Sequence, residues 1–402
     1  MRSNVIIIHC HDLGDYLGIY DSSLNTPNID TIGREGVVFN NHFATGTVCS
    51  PSRGSLTTGC YPHTHGLMGL VHRGWELNVD KCHPLPETLR KNGYQTALFG
   101  VQHEHWDPKR LGYDYVDPVH PHLSDKVADA FCSWLNERKQ SSLPFFASVG
   151  IFEPHRFSIN PSHFRREGVF AAVEDSRLRV RPSLPDIPEI RKDLADFYGA
   201  VEYVDKQVGT ILENLKRSGL DKNSLIVFTT DHGASFIHSK GTLYDGGVKV
   251  AMLIKHPDLP KGIRVDSLSS HVDFVPTVLN ILGIDSQNEV EGISQLPVIT
   301  GNKGAGRDFV FAENNYTNSF DPGRMVRNAK WKYIRKGNRT SVFDNQIPEI
   351  ELSIADFRKV KEVFDFYTSE RSLEELYDLE NDPGELTNLA DDPNYIAVLS
   401  EM

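Results

Sequence analysis

The chain has 402 residues, 39% of them hydrophobic and 24% charged, with a formal net charge of −12. That composition is ordinary for a globular protein and leaves room for one sizeable core plus a smaller second unit. The acidic balance argues against nucleic acid as a partner, and every apolar run is too short to span a membrane.

The first element is the β-branched run Val5–His9, a pattern of a strand buried on both faces, ending in His9-Cys10-His11-Asp12-Leu13-Gly14. A second strand signal covers Val37–His42. Cys49-Ser50-Pro51-Ser52-Arg53 and the following Gly54–Gly59 read as a short helix leaving a tight turn. Strand signals recur at Gln95–Gly100 and Phe145–Ile151. Between them Val127, Ala130, Phe131, Trp134 and Leu135 fall at helical spacing within Ser124–Arg138. Ser176–Pro188 has no period and reads as a loop over the site face. Val201, Val204, Val208, Ile211, Leu212 and Leu215 then form a second helical stripe, stopped by Gly219. Leu225–Thr229 repeats the opening design, an apolar strand followed by Asp231-His232-Gly233, and Val250–Ile254 is the last long strand signal.

This alternation predicts an α/β domain over residues 1–312, a mostly parallel sheet with helices on both faces. Composition shifts after Leu282-Gly283, and residues 313–402 read as a small C-terminal subdomain. Short strands are expected there at Met325–Val326 and Trp331–Ile334, with a turn over Leu376–Glu385.

A cysteine just before a helix faces unpaired backbone N–H groups and the positive end of the helix dipole, a setting that favours a thiolate, an alkoxide or a bound anion. Pro51 fits the first turn, where its missing N–H costs nothing, and Arg53 offers a planar fork to a tetrahedral oxyanion. Alone, such a cysteine more often packs than reacts. Two further strands end in His11-Asp12 and Asp231-His232, and together they can hold one divalent cation beyond the sheet edge.

Cys49-x-Pro51-Ser52-Arg53, then Leu56-Thr57-x-Gly59, resembles the signature of the formylglycine-dependent sulfatases of the alkaline phosphatase superfamily. Gly66–Gly74 and Glu153-Pro154-His155-Arg156 resemble the heparan N-sulfatase branch and its bacterial relatives. The resemblance implies an alkaline phosphatase/sulfatase-like fold, with an antiparallel α+β C-terminal subdomain. It implies that Cys49 becomes formylglycine (3-oxoalanine), whose hydrate is the nucleophile, after meeting a formylglycine-generating enzyme. The family's metal ligands map onto His11, Asp12, Asp231 and His232, with histidine where an aspartate and an asparagine are expected. Family likeness argues for calcium; two imidazoles argue for manganese, zinc or iron.

Further roles carry over as implications of that resemblance. His103, His155 and Lys240 join Cys49 and Arg53 as catalytic residues, while Val101 stands where a sulfate-binding lysine is expected and Gln102 or His105 is the available substitute. His72, Arg73, Glu153 and Arg156 would contact the substrate, a sulfated carbohydrate or small sulfate ester. The reaction implied is hydrolysis of a sulfuric ester or sulfamate with release of sulfate. Alternatives are phosphonate monoester or phosphodiester hydrolysis, or a non-catalytic sugar-binding relative. Of five cysteines, four would remain if Cys49 is modified. With a strand starting by Asn4 and no leader ahead of it, the chain as written is expected in the cytoplasm; a trimmed chain would be periplasmic or secreted.

Overall fold

A computed structural model describes residues 2–138, 141–157, 163–164, 166–285, 289–317, 319–339, 341 and 368–402. In chain order its first part contains β1 (Asn4–Cys10), α1 (Pro27–Arg34), β2 (Val37–Phe39), β3 (His42–Phe43), α2 (Cys49–Thr58), α3 (Pro62–His65), α4 (Leu85–Lys91), β4 (Gln95–Gly100) and β5 (Tyr115–Val116). Then come α5 (Ser124–Glu137), β6 (Phe145–Gly150), α6 (Pro188–Arg217), β7 (Ser224–Thr230), α7 (Asp245–Val248), β8 (Met252–Lys255), β9 (Ile263–Val265), β10 (Ser269–Ser270) and α8 (Phe274–Ile281). The larger sheet runs β5-β4-β6-β1-β7-β8-β2-β9, with β8 antiparallel to both neighbours and every other pairing parallel.

Unbroken Val and Ile make β1 suitable only for the middle of such a sheet, and all seven of its residues are buried. Alternate strand residues serve opposite faces. Ile6, Ile8, Phe99, Val149 and Phe228 pack with α1, α5 and α6, including Ile29, Phe131 and Val204. Val5, Ile7, Leu98, Phe146 and Val227 pack with α2, α4 and α8, including Leu56, Leu89 and Val278.

Register sets the site. His9 pairs with Gly150 and with Thr229, and Gly150 pairs with Gly100, so β1, β4, β6 and β7 end at one edge. The loops carrying His11-Asp12, His103, His155 and Asp231-His232 therefore leave the sheet side by side.

The second sheet is antiparallel in chain order: β11 (Val310–Tyr316), β12 (Phe320–Arg327), β13 (Trp331–Lys336) and β14 (Glu374–Asp378). It begins at Val310, slightly before the expected boundary, and a last helix covers Ile396–Glu401. Buried Lys332 docks the sheet on the larger unit, 2.5 Å from Asp245 and 2.7 Å from Glu385. A more pointed contact lies next to Cys49. Glu313 N donates to Thr45 O at 2.9 Å, and Thr47 Oγ1 donates to Asn314 Oδ1 at 2.9 Å.

Local differences from the expected elements have physical causes. The strand foreseen over Val37–His42 is interrupted at Asn40-Asn41, whose side-chain amides bond Asp266 and fix the break between β2 and β3. The strand foreseen at Val250–Ile254 starts at Met252. Leu376–Asp378 is strand rather than turn, paired with Trp331–Tyr333 of β13. The loop foreseen over Ser176–Pro188 is irregular apart from the end of a short 3-10 turn, and Pro188 opens α6. Arg181 lies in it, 2.5 Å from Asp15 and over the Tyr16 ring, which ties the loop to the segment after β1.

Candidate active site

Val48 is extended ahead of α2 and no side chain caps the helix, so Cys49 stands at an uncapped N-terminus. Nearly the whole helix is buried, and hydrogen bonds hold it on every side. Ser52 Oγ donates to Asp231 O, Val71 N donates to Ser50 Oγ at 3.1 Å, and His65 Nε2 bonds Ser55 Oγ at 3.1 Å. Cys49 Sγ lies 3.4 Å from His232 Nε2 and 3.8 Å from His11 Nδ1.

The β1 and β7 ends are knitted together around Asp231. Its Oδ1 accepts from Asp12 N and His232 N, each at 2.9 Å. Its Oδ2 lies 3.1 Å from Arg53 Nε and 3.2 Å from His11 Nδ1. These bonds hold Asp12 at φ 49, a left-handed conformation that aspartate tolerates better than most residues. Asp12 Oδ2 is 2.6 Å from Lys240 Nζ, and Lys240 Nζ is 3.4 Å from His155 Nε2. The His103 ring lies 4.8 Å from the His11 ring, tilted by 59°. The catalytic and metal-ligand positions foreseen from sequence lie together in one cluster, buried except for the half-buried His103 and His155.

Burial alone would push both carboxyls up, but the charged and polar groups around them prevail. His232, Arg53 and His11 hold Asp231 well below the usual carboxylate range, and Lys240, His155 and His232 hold Asp12 below it. Burial pushes the Cys49 thiol far up, so the helix N-terminus does not make a thiolate here. Burial, with Arg53 behind it, brings His103 down to about 3. Lys240 is raised against its burial by Asp12 and keeps its charge.

Two donor atoms point to a cation. Among the described residues, His11 Nε2 and Asp12 Oδ1 are buried without a hydrogen-bond partner. His232 Nδ1 donates to Gly233 O at 2.9 Å, which leaves the Nε2 lone pair toward Cys49 and Asp12, the tautomer used by metal-binding imidazoles. One ligand atom each from His11, Asp12, Cys49 and Asp231 lies within 4.8 Å of the others.

Two residues foreseen at the substrate are committed elsewhere. Glu153 is wholly buried, bonded to Ser124 Oγ and paired with Arg166 at 3.2 Å. Arg156 forks onto Asp193 and Ser235 O and stacks on Phe164. Both brace the loop that carries His155 instead of lining an open pocket. Gln102 and His105 are engaged locally instead of replacing the missing lysine: Gln102 bonds His105 O and the N–H groups of Glu104 and His105, and His105 Nδ1 accepts from Asp107 N at 2.9 Å. His72 and Arg73 are exposed on a short turn, with Arg73 Nη1 donating to Thr317 O at 2.8 Å.

His9 was not foreseen. Arg53 Nη1 donates to its Nδ1 at 2.7 Å, and its Nε2 bonds Ser148 Oγ at 3.0 Å. A single imidazole inside an otherwise apolar strand was the available signal.

A mostly parallel α/β sheet with this cluster at its carboxyl edge, followed by a small antiparallel sheet, is the alkaline-phosphatase-like fold. The chain belongs to the sulfatase family, whose profile matches residues 3–284, and it is a sulfuric ester hydrolase. A profile for the N-sulphoglucosamine sulphohydrolase C-terminal region matches residues 233–363. An ulvan-active sulfatase of Formosa agariphila is 26% identical over 100% of this chain and 73% of its own length. The N-sulphoglucosamine sulphohydrolase of Homo sapiens is 25% identical over 98% of this chain and 87% of its own length. A solved structure in complex with its substrate D-glucosamine-2-N,6-O-disulfate shares the fold, with a TM-score of 0.73 at 19% identity over 100% of this chain and 96% of that one. Among the described residues no helix is long and apolar enough to cross a membrane.

Proposed function

We propose that this sulfatase removes sulfate from an N- or O-sulfated sugar, using a formylglycine made from Cys49 and one divalent metal ion. The observation that carries this reading is the placing of Cys49, 3.4 Å from His232 Nε2 at a helix N-terminus, inside a buried ring of Asp12, Asp231, Arg53 and Lys240. Relatives named for ulvan and for N-sulphoglucosamine support a sulfated saccharide.

Asp12, Asp231, His232 and His11 would hold the metal, and the unpartnered His11 Nε2 and Asp12 Oδ1 fit that role. Their mixed imidazole and carboxylate set favours manganese or zinc over the calcium that family likeness suggests. When bound, the metal supplies Lewis-acid polarisation at the sulfuryl group, and the hydrated aldehyde supplies the attacking oxygen.

The chain's own residues supply the rest. Arg53 is fixed in advance by Asp231, His9 and Cys10 O, so its charge costs little reorganisation as the sulfuryl oxygens gain charge. Lys240 adds a second fixed cation and stores a proton at Nζ. His155 Nδ1 donates to Arg156 O at 2.7 Å, so its Nε2 faces Lys240 as an acceptor. Protonated at that Nε2, His155 is the acid for the leaving oxygen or nitrogen, and Lys240 keeps its charge. His103, brought down to about 3 by burial, is left as a neutral ring beside His11 and not as the acid.

Free sulfate from glucosamine N-sulfate, an aryl sulfate and, in parallel, cleavage of a phenyl phosphonate should be measured on protein produced with a formylglycine-generating enzyme. Sulfate release from the sugar is expected to be fastest. Val101, in place of a lysine, favours the second reading, and a clear preference for the phosphonate would establish it. Matured protein inert on all three would be a sugar-binding relative.

A further inference from the structure

Three aromatic rings, two exposed and one half-buried, neighbour one another on segments tied to the residues around Cys49. The Tyr316 ring lies 6.1 Å from the Trp75 ring and 6.2 Å from the Phe320 ring. Phe320 is 62% exposed and Tyr316 37%, the kind of apolar display that a monomer rarely keeps without a use when it is contiguous. Tyr316 and Phe320 are register partners at the end of the β11–β12 hairpin. Trp75 is half-buried beside Gly69, where an added Cβ would lie 2.3 Å from the indole nitrogen. Gly69 thus makes room for the indole to lie against the backbone.

Both segments carrying these rings are tethered to the residues flanking Cys49. The 71–75 segment is held through Val71 N on Ser50 Oγ, and the hairpin strand through Thr47 Oγ1 on Asn314 Oδ1. Arg73, an exposed residue, bridges the two by donating from Nη1 to Thr317 O at 2.8 Å. The rings are tilted by 50° and 46° to their neighbours, so each offers its own face, and such a patch with an arginine on the adjoining turn complements a pyranose chain bearing carboxylate or sulfate, since each sugar offers an apolar C–H face and an anionic rim.

Resting on the sulfatase reading, we propose that Trp75, Tyr316 and Phe320, with Arg73, form a subsite for a further sugar unit of an anionic oligosaccharide whose sulfated residue lies at Cys49. The enzyme then prefers oligosaccharides to single sugars.

The test uses a tetrasaccharide of alternating N-sulfated glucosamine and uronic acid, with glucosamine N-sulfate as the one-sugar comparison. Tyr316→Ala and Phe320→Ala are the variants, both at exposed positions. Each is expected to lower the ratio of kcat/KM, tetrasaccharide over monosaccharide, by about three- to ten-fold, the range for one aromatic contact. Binding gives a readout without turnover. In a Cys49→Ala background, each variant should raise the calorimetric Kd for the tetrasaccharide by a similar factor. An unchanged ratio and unchanged Kd would overturn the subsite while leaving the sulfatase reading intact. Ring-dependent tetrasaccharide binding by a protein that releases no sulfate would keep the subsite and sink the sulfatase reading.

Discussion

Lowering the pH from 7 to 5 should load one identifiable strain onto the helix that carries Cys49. His65 is buried against α2, where its Nε2 bonds Ser55 Oγ at 3.1 Å and Pro51 O at 3.2 Å, and its Nδ1 accepts from Leu67 N at 3.2 Å. Burial pushes the imidazole from its ordinary 6.5 down to about 3, and a proton on Nδ1 would also displace the Leu67 N–H. The sign follows from where protons bind. Below 6.5 the unfolded chain takes up a proton at this position and the folded chain does not, so stability falls as pH falls, until the folded value is reached. Between pH 7 and 5 the loss is about 2 kcal/mol.

The whole protein does not report this loss alone. Burial raises Glu385 to about 7 and Asp205 to about 6, and both gain stability as pH falls through the same window, while other imidazoles lowered by burial, His42, His238 and His271 among them, lose it as His65 does. The lowered carboxyls of Asp12 and Asp231 lose their contribution only at more acid pH. Comparison with His65→Gln cancels all of these. Urea midpoints and slopes at pH 7, 6 and 5 should show the variant losing about 2 kcal/mol less than the parent, whatever its offset at pH 7. Parallel pH profiles would refute the neutral, buried assignment of His65.

Asp231→Ala should be among the most damaging substitutions, because it leaves buried Arg53 without its carboxylate; a loss of about 3–5 kcal/mol in urea unfolding is expected. Gly54→Ala places a Cβ 2.5 Å from the His65 ring, so about 1–3 kcal/mol of stability should be lost, measured the same way. His9→Leu removes the acceptor behind Arg53 and should lower kcat more than it raises KM, with partial recovery in His9→Asn; an unchanged kcat would show that Arg53 needs no such support.

Much of this architecture was legible from residue order. Gln95–Gly100 was read at its observed limits because Gly93 and Gly100 bracket a continuous run that only a buried strand accommodates. Strand direction was not legible. Met252–Lys255 looks like its parallel neighbours, and only the path of the chain across the sheet reverses it. The cluster around Asp12 and Asp231 was legible because each member follows directly on a strand that ends at the same edge. Glu153 and Arg156 were misplaced for the complementary reason. They neighbour His155 in sequence, but their partners Ser124, Arg166 and Asp193 come from other segments and draw their side chains into the frame. The brace from Asn314 to Thr47 spans the two sheets, and neither residue carries a local sign of it.

The mass of the peptide carrying Cys49, from protein produced with a formylglycine-generating enzyme, is the most direct test of the site. Conversion of the thiol to the aldehyde or its hydrate is the expected result, with sulfate release tracking the converted fraction. A plain thiol under those conditions, or sulfate release undiminished in Cys49→Ala, would contradict the assignment of Cys49 as the source of the nucleophile.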